Sequence, residues 1–188
     1  MSRRGTSGER PRGLLIAALV VAAVLGVFVA VVVIDRGQRA ASEPPEGVRE
    51  FTIPSRNHTE GAINYPQTPP AGGNHNPVWQ NSGFYADPVR NETAVHTMEH
   101  GAVWITYRPD LSQAQKDTLR QLAQSRDCII ASPYPDLSVP VVASAWGVQL
   151  QLDSADDPRL EQFVRAYRIG PQTPEPGAAC TGGVGEPS

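Results

Sequence analysis

The chain has 188 residues and a formal net charge of -3, which fits one domain of ordinary size. The charge is unevenly spread, because residues 37–188 hold 11 basic and 17 acidic side chains, with a single lysine among them. An acidic region without a basic run lacks the electrostatic footprint of a protein that binds nucleic acid or an anionic membrane surface. The sequence therefore excludes both of these binding partners.

Residues 13–34 form an apolar segment with no charged residue and no proline. A helix over this segment would be about 33 Å long, enough to cross a hydrocarbon core of about 30 Å. Four arginines and one glutamate precede the segment, and the positive-inside rule assigns residues 1–12 to the cytoplasm. The sequence thus predicts a single transmembrane helix at the cell membrane, with everything after it extracytoplasmic.

Two different stretches follow the apolar segment. Residues 35–50 are small, polar and proline-bearing, and they predict a linker that holds a domain away from the bilayer. Residues 51–90 are rich in proline and glycine but also hold Tyr65, Trp79 and Phe84. Large aromatic residues among so many turn formers indicate an ordered segment that packs against something.

From residue 91 onwards the periodicities are regular. Asn91 is expected to cap a helix that Gly101 ends, and Ser112 with Gln115 is a capping box for a second helix. The remaining predictions are strands at 102–107, 128–132 and 140–152, and a helix that starts at Asp157–Pro158. This order predicts an α+β fold, a split βαβ or ferredoxin-like sandwich preceded by the Pro/Gly-rich, histidine-bearing segment.

Both cysteines of the chain, Cys128 and Cys180, follow the apolar segment. An even number of cysteines in an oxidising compartment predicts one disulfide bond. The alternative is a metal site, but two single cysteines without a CxxC pair or a neighbouring histidine fit that poorly.

The four histidines of the chain all lie between residues 58 and 100. His96 and His100 are four residues apart, so on a helix they share a face with Glu99 beside them. Two imidazoles in this arrangement can bind one ion, and the glutamate can bind it or accept a proton. His75 follows a Gly-Gly-Asn turn that can carry it to the same face, and His58 lies beside a predicted turn. These residues form a candidate copper or zinc site.

Other interpretations of this cluster stay open. In a strand, His96, Met98 and His100 would share a face, a softer set that suits copper. The histidines could instead hydrogen-bond loop carbonyls of the proline-rich segment in a purely structural network. H-x-x-E-H is also the inverted zincin signature of a metal-dependent hydrolase, although Gly101 cuts the helix which that motif needs.

Several motifs together carry a resemblance to a known family. They are Asn57–His58, Tyr65, PPAGGNH at 69–75, GFY at 83–85, VHTMEHG at 95–101, AWG at 145–147 and PEPGAAC at 174–180. The chain resembles the bacterial, single-pass, membrane-anchored proteins of the DUF3105 family, a domain of unknown function. The resemblance implies an envelope location and one compact outer domain, here expected at residues 51–182 with a tail at 183–188. It implies no reaction, so enzyme activity is left undecided.

The sequence therefore predicts a membrane-anchored extracytoplasmic domain that binds a transition metal through His58, His75, His96, Glu99 and His100. The main alternative is an interaction module of the envelope, with a partner protein and a structural histidine network. A metal-dependent hydrolase is a third interpretation.

Overall fold

A computed structural model describes residues 12–188, except the side chains of residues 12–15, 17 and 33–42. The chain divides into two compact units, with the boundary between Ala41 and Ser42. Each unit is described by itself.

The first unit holds the helix α1, Arg12–Ser42, which contains the predicted transmembrane segment 13–34. Its described apolar side chains are exposed, as at Leu19 and Phe28, except at Val32, which is half-buried. Among the described residues, no helix was found that is both long and apolar enough to cross a membrane. The membrane span therefore stays a prediction, and residues 1–11 of the predicted cytoplasmic stub lie outside the described chain.

The second unit, Ser42–Ser188, has a mixed α+β architecture, as predicted. In the part of the chain that the structure describes, six strands form one sheet and three helices join it. The strands are β1 (Arg49–Glu50), β2 (Gly83–Phe84), β3 (Val103–Tyr107), β4 (Ile129–Pro133), β5 (Val141–Ala145) and β6 (Val148–Leu152). The helices are α2 (Asn91–Glu99), α3 (Gln113–Ser125) and α4 (Pro158–Tyr167).

The sheet has the order β1-β6-β5-β3-β4-β2. Strand β4 runs parallel to both β3 and β2, while β5 is antiparallel to β3 and β6. The predicted split βαβ arrangement is therefore wrong, because β3 and β4 are direct neighbours with no strand between them. Hydrophobic periodicity predicted these strands, but it does not determine on which side of β3 a later strand pairs.

The two faces of the sheet carry different layers. Alternate side chains of a strand point to opposite faces, so Val103 and Ile105 pack with α3 and α4 in the larger apolar cluster. Trp104 and Ile130 point the other way and pack against α2 in a second apolar cluster. Helix α2 and the Pro/Gly-rich segment cover this second face.

The helix boundaries confirm most of the predicted signals. Gly101 follows α2 with a φ of +110°, and Ala102 N donates to Thr97 O at 3.0 Å, a bond typical of a Schellman ending. Ser112 and Asp157 accept backbone N–H bonds as N-caps of α3 and α4. The prediction that Asn91 caps α2 is wrong, because Asn91 is the first helical residue and Arg90 holds the cap position without a side-chain bond.

The compact unit extends beyond the predicted range 51–182 at both ends. Arg49–Glu50 pairs with β6 inside the predicted linker, and Ser188 N donates to Phe84 O at 2.8 Å within the predicted tail. The predicted disulfide is confirmed, since Cys128 and Cys180 are bonded. Both cysteines are buried, and they pack against Ala102.

Candidate metal centre

Four side chains converge beside α2: those of His58, His75, His96 and Glu99. One possible ligand atom from each residue lies within 4.8 Å of those of the other three. The ring centroids are separated by 5.0 Å between His58 and His75, 4.9 Å between His58 and His96, and 4.7 Å between His75 and His96. The three imidazoles therefore form a nearly regular triangle with a carboxylate beside it.

A backbone bridge brings His58 and His75 together within the Pro/Gly-rich segment. Thr59 N donates to His75 O at 2.7 Å, and His75 N donates to Asn57 O at 3.1 Å. The side-chain oxygen of Asn74 accepts from Asn57 N at 2.9 Å, which fixes the turn before His75. The two histidines are thus held side by side by the main chain.

Helix α2 supplies His96 and Glu99, which are three residues apart and therefore share a face. The segment after His75 is bonded along this helix. Asn76 N donates to Glu92 O at 3.2 Å, and Gln80 N donates to the Thr97 hydroxyl at 2.9 Å. These bonds place His75 against the ligand-bearing face of α2.

Each of the two buried histidines of this four-residue group has its Nδ1 bonded to a backbone carbonyl. The Nδ1 of His75 lies 2.8 Å from Gly73 O, and the Nδ1 of His96 lies 2.6 Å from Asn76 O. A carbonyl oxygen can only accept, so Nδ1 carries the hydrogen and Nε2 of the neutral ring keeps its lone pair. Histidines that bind metals are usually held in this way, with the second nitrogen donating to a fixed acceptor.

The lone pair of His75 faces a carboxylate oxygen. Nε2 of His75 lies 3.0 Å from Oε2 of Glu99, and both side chains are almost completely buried. The contact does not have hydrogen-bond geometry, and this Nε2 has no other hydrogen-bond partner among the described residues. The other oxygen of Glu99 already accepts from Arg56 Nη1 at 3.0 Å. Two buried lone pairs at this distance repel each other unless a proton or a cation lies between them.

The surroundings of His75 and His96 favour the neutral form of each imidazole ring. Burial lowers the pKa of His75, although its bond to Gly73 O and the charge of Glu99 act in the opposite direction. Burial lowers the pKa of His96 to about 4, with the neighbouring His100, His75 and His58 acting in the same direction and its bond to Asn76 O in the opposite one. An imidazole must be neutral to bind a metal ion.

His100, the fifth residue of the predicted site, lies at the edge of the cluster and outside the four-residue group. It follows the last residue of α2, and its Nδ1 donates to Ala179 O at 2.6 Å. Its ring centroid lies 4.6 Å from that of His96 and 5.3 Å from that of Trp79. The predicted helical ligand pair His96 and His100 is therefore replaced in this group by His96 and Glu99.

The possible ligand atoms of the four residues are imidazole nitrogens and carboxylate oxygens. Met98, which the strand interpretation offers as a soft ligand, is fully buried in the apolar cluster with Trp104. His58 is exposed while the other three residues are buried, so one side of the group faces solvent. Arg56 and Asn74, which bond to Glu99 and to the turn before His75, were not predicted from the sequence. The only signal for them in the sequence is that they lie close to His58 and His75 along the chain.

The chain belongs to the DUF3105 family, "Protein of unknown function", which matches residues 57–182. The match confirms the predicted resemblance, and it contains the four-residue group, His100 and both cysteines. No curated protein and no solved structure matches the chain.

The lowered pKa of His96 predicts a pH dependence of stability for the metal-free protein. His96 should stay neutral in the folded state down to pH about 4, whereas an unfolded histidine takes up a proton near pH 6.5. The unfolded chain then binds more protons, so the free energy of unfolding should fall as the pH drops from about 6.5 to about 4. Urea unfolding of the metal-free protein at several pH values measures this slope.

The matched control is His96→Gln, which removes the titrating group and should flatten its share of the slope. An NMR titration that assigns His96 a pKa near 6.5 in the folded protein would contradict the prediction.

Proposed function

We propose that this protein is a membrane-anchored, extracytoplasmic metal-binding protein and that His58, His75, His96 and Glu99 bind one Zn²⁺ ion. The observation that carries the proposal is the buried contact of 3.0 Å between His75 Nε2 and Glu99 Oε2. A cation between these atoms turns a repulsive contact into two ligand bonds, and the other two histidines lie close enough to complete the set.

The donor set supports zinc over copper. Three imidazoles and one carboxylate suit the tetrahedral coordination of Zn²⁺. Imidazole also suits Cu²⁺, but the thioether that would favour Cu⁺ belongs to Met98, which packs in the apolar core. We therefore keep copper as the second metal to test.

The number of ligands supports binding over catalysis. Structural zinc sites have four protein ligands, whereas catalytic sites keep one position for water. The hydrolase interpretation needs His96 and His100 as ligands and Glu99 as a free base. Glu99 instead faces His75 and Arg56, so it is not a free base. These contacts do not favour a zincin-like reaction.

An interaction module of the envelope, with a structural histidine network, is the alternative function. The bonds from Nδ1 of His96 and His100 to backbone carbonyls support it as well, because they attach α2 to two separate segments of the chain. A purely structural network accounts for the contact between His75 Nε2 and Glu99 Oε2 only if a further proton lies between them. Because burial lowers the pKa of His75, metal binding is the stronger proposal.

The membrane anchor rests on the apolar segment 13–34 and on the arginines that precede it. Its exposed apolar side chains in α1, including Ile16 and Leu25, would be covered by lipid. In this proposal the second unit, Ser42–Ser188, lies outside the cytoplasm, where its disulfide is stable.

Metal analysis tests the proposed site. The full-length chain, purified in a non-ionic detergent and stripped with a chelator, should take up one Zn²⁺ ion per chain during equilibrium dialysis. His96→Ala should lose this ion, because a buried imidazole is replaced by a methyl group and the ligand set is incomplete. Copper, tested in parallel, should compete for the same position.

His100→Ala is the matched control for that experiment. It removes a neighbouring histidine outside the four-residue group and should keep a stoichiometry of one ion per chain at saturating zinc. Wild-type protein that binds neither metal, or a His96→Ala variant that binds like wild type, would refute the proposed site and leave the interaction module.

Protease accessibility tests the proposed topology. Protease added to intact spheroplasts should digest the chain beyond residue 42 and leave an N-terminal epitope tag protected, because the tag lies in the cytoplasm. Detergent-permeabilised spheroplasts, in which the tag is also digested, are the control. Full protection of the second unit in intact spheroplasts would contradict the topology.

A further inference from the structure

The C-terminal strap, residues 173–185, contains no helix or extended strand, yet it lies against the metal group. Its backbone is attached at several points, including Gly183 N, which donates to Asn81 Oδ1 at 2.8 Å, and Val184 N, which donates to Trp79 O at 2.9 Å. The strap therefore depends on its contacts with the rest of the domain for its position.

One set of strap contacts reaches Glu99. Glu175 N donates to the backbone carbonyl of Glu99 at 3.0 Å. The Glu175 carboxylate also lies 3.4 Å from Arg56 Nη1, the same nitrogen that donates to Glu99 Oε1. The strap thus supports both the main chain of this ligand and the arginine that orients its carboxylate.

A second set of contacts reaches His96 through its neighbours. Ala179 O accepts from His100 Nδ1, and Thr181 O accepts from Trp79 Nε1 at 3.2 Å. The rings of His100 and Trp79 both pack beside His96, with centroids 4.6 and 5.8 Å from its own. The strap carbonyls therefore hold the two rings that flank this ligand.

The Cys128–Cys180 disulfide joins the centre of the strap to the residue before β4. Cys180 directly follows Ala179, so the bond restrains the carbonyl that holds His100. The cysteines are 52 residues apart in the sequence, and without the bond a segment with so little regular structure would regain much conformational freedom.

We propose that formation of the Cys128–Cys180 disulfide is required for high-affinity metal binding at the His58, His75, His96 and Glu99 site. This inference rests on the proposed metal-binding function and adds its regulation. The two thiols lose two electrons and two protons to a disulfide-bearing oxidant, which is reduced to two thiols, and the bonded strap then fixes the surroundings of Glu99 and His96. A chain that has not been oxidised binds the metal weakly.

The burial of the bond indicates a one-time maturation step. Cys128 is 5% exposed and Cys180 is 4% exposed, so an attacking thiolate has little access to either sulfur in the folded domain. The metal site would therefore be completed after the chain reaches an oxidising compartment and would stay complete there.

Zinc affinity of the full-length chain tests the inference, measured by competition with a chromogenic chelator. The double variant Cys128→Ala/Cys180→Ala should keep one site per chain but bind zinc about 10- to 100-fold more weakly, the range seen when the partners of metal ligands are removed. His100→Phe, which keeps the disulfide and a ring but loses the bond to Ala179 O, should weaken binding in the same direction. It provides the test if the double variant does not fold.

Leu160→Ala is the control for a general loss of stability, because Leu160 is buried in the other apolar cluster. It should bind zinc with wild-type affinity. Affinity of the double variant or of His100→Phe within twofold of wild type would overturn the inference, as would equal weakening by Leu160→Ala. Wild-type protein that binds no metal would instead refute the proposed function itself.

Discussion

The contact between His75 Nε2 and Glu99 Oε2 is the constraint on which the rest of the site depends. These two acceptor atoms lie 3.0 Å apart in a buried position, where an unpaired polar group or charge is costly. Nδ1 of His75 already donates its hydrogen bond to Gly73 O, and the other carboxylate oxygen of Glu99 already accepts from Arg56. The neutral ring thus has no second hydrogen for the carboxylate, and the proposed cation, or a further proton, would satisfy both atoms.

The fold provides the rigidity that such a contact requires. Val95 and Met98 of α2 pack against Trp104 and Ile130 of the sheet. This packing fixes the position of the opposite face of the helix relative to the sheet. The Pro/Gly-rich segment has little secondary structure, but its main chain pairs with itself and with α2. Backbone atoms make several of these attachments, and the side chains of Asn74 and Thr97 add further bonds.

The local elements of the fold could be predicted from the sequence, because caps, stop signals and periodicity act over a few residues. Ser112, Asp157 and Gly101 each mark a boundary that the structure contains. The strand order could not, since pairing of β3 with both β4 and β5 depends on contacts between distant segments. The same limit applies to the site. Clustered histidines indicated its place, but the bond of His100 to Ala179 O joins residues that are distant in the sequence and could not be predicted.

X-ray absorption spectroscopy at the zinc edge, on the full-length chain loaded with one equivalent of Zn²⁺, tests the central claim most directly. The proposed site should show a first shell of three imidazole nitrogens and one carboxylate oxygen at about 2.0–2.1 Å, with the multiple scattering of coordinated imidazole. A shell that contains sulfur, or that shows fewer than two imidazoles, would contradict the proposed ligands and the role given to His75 and Glu99.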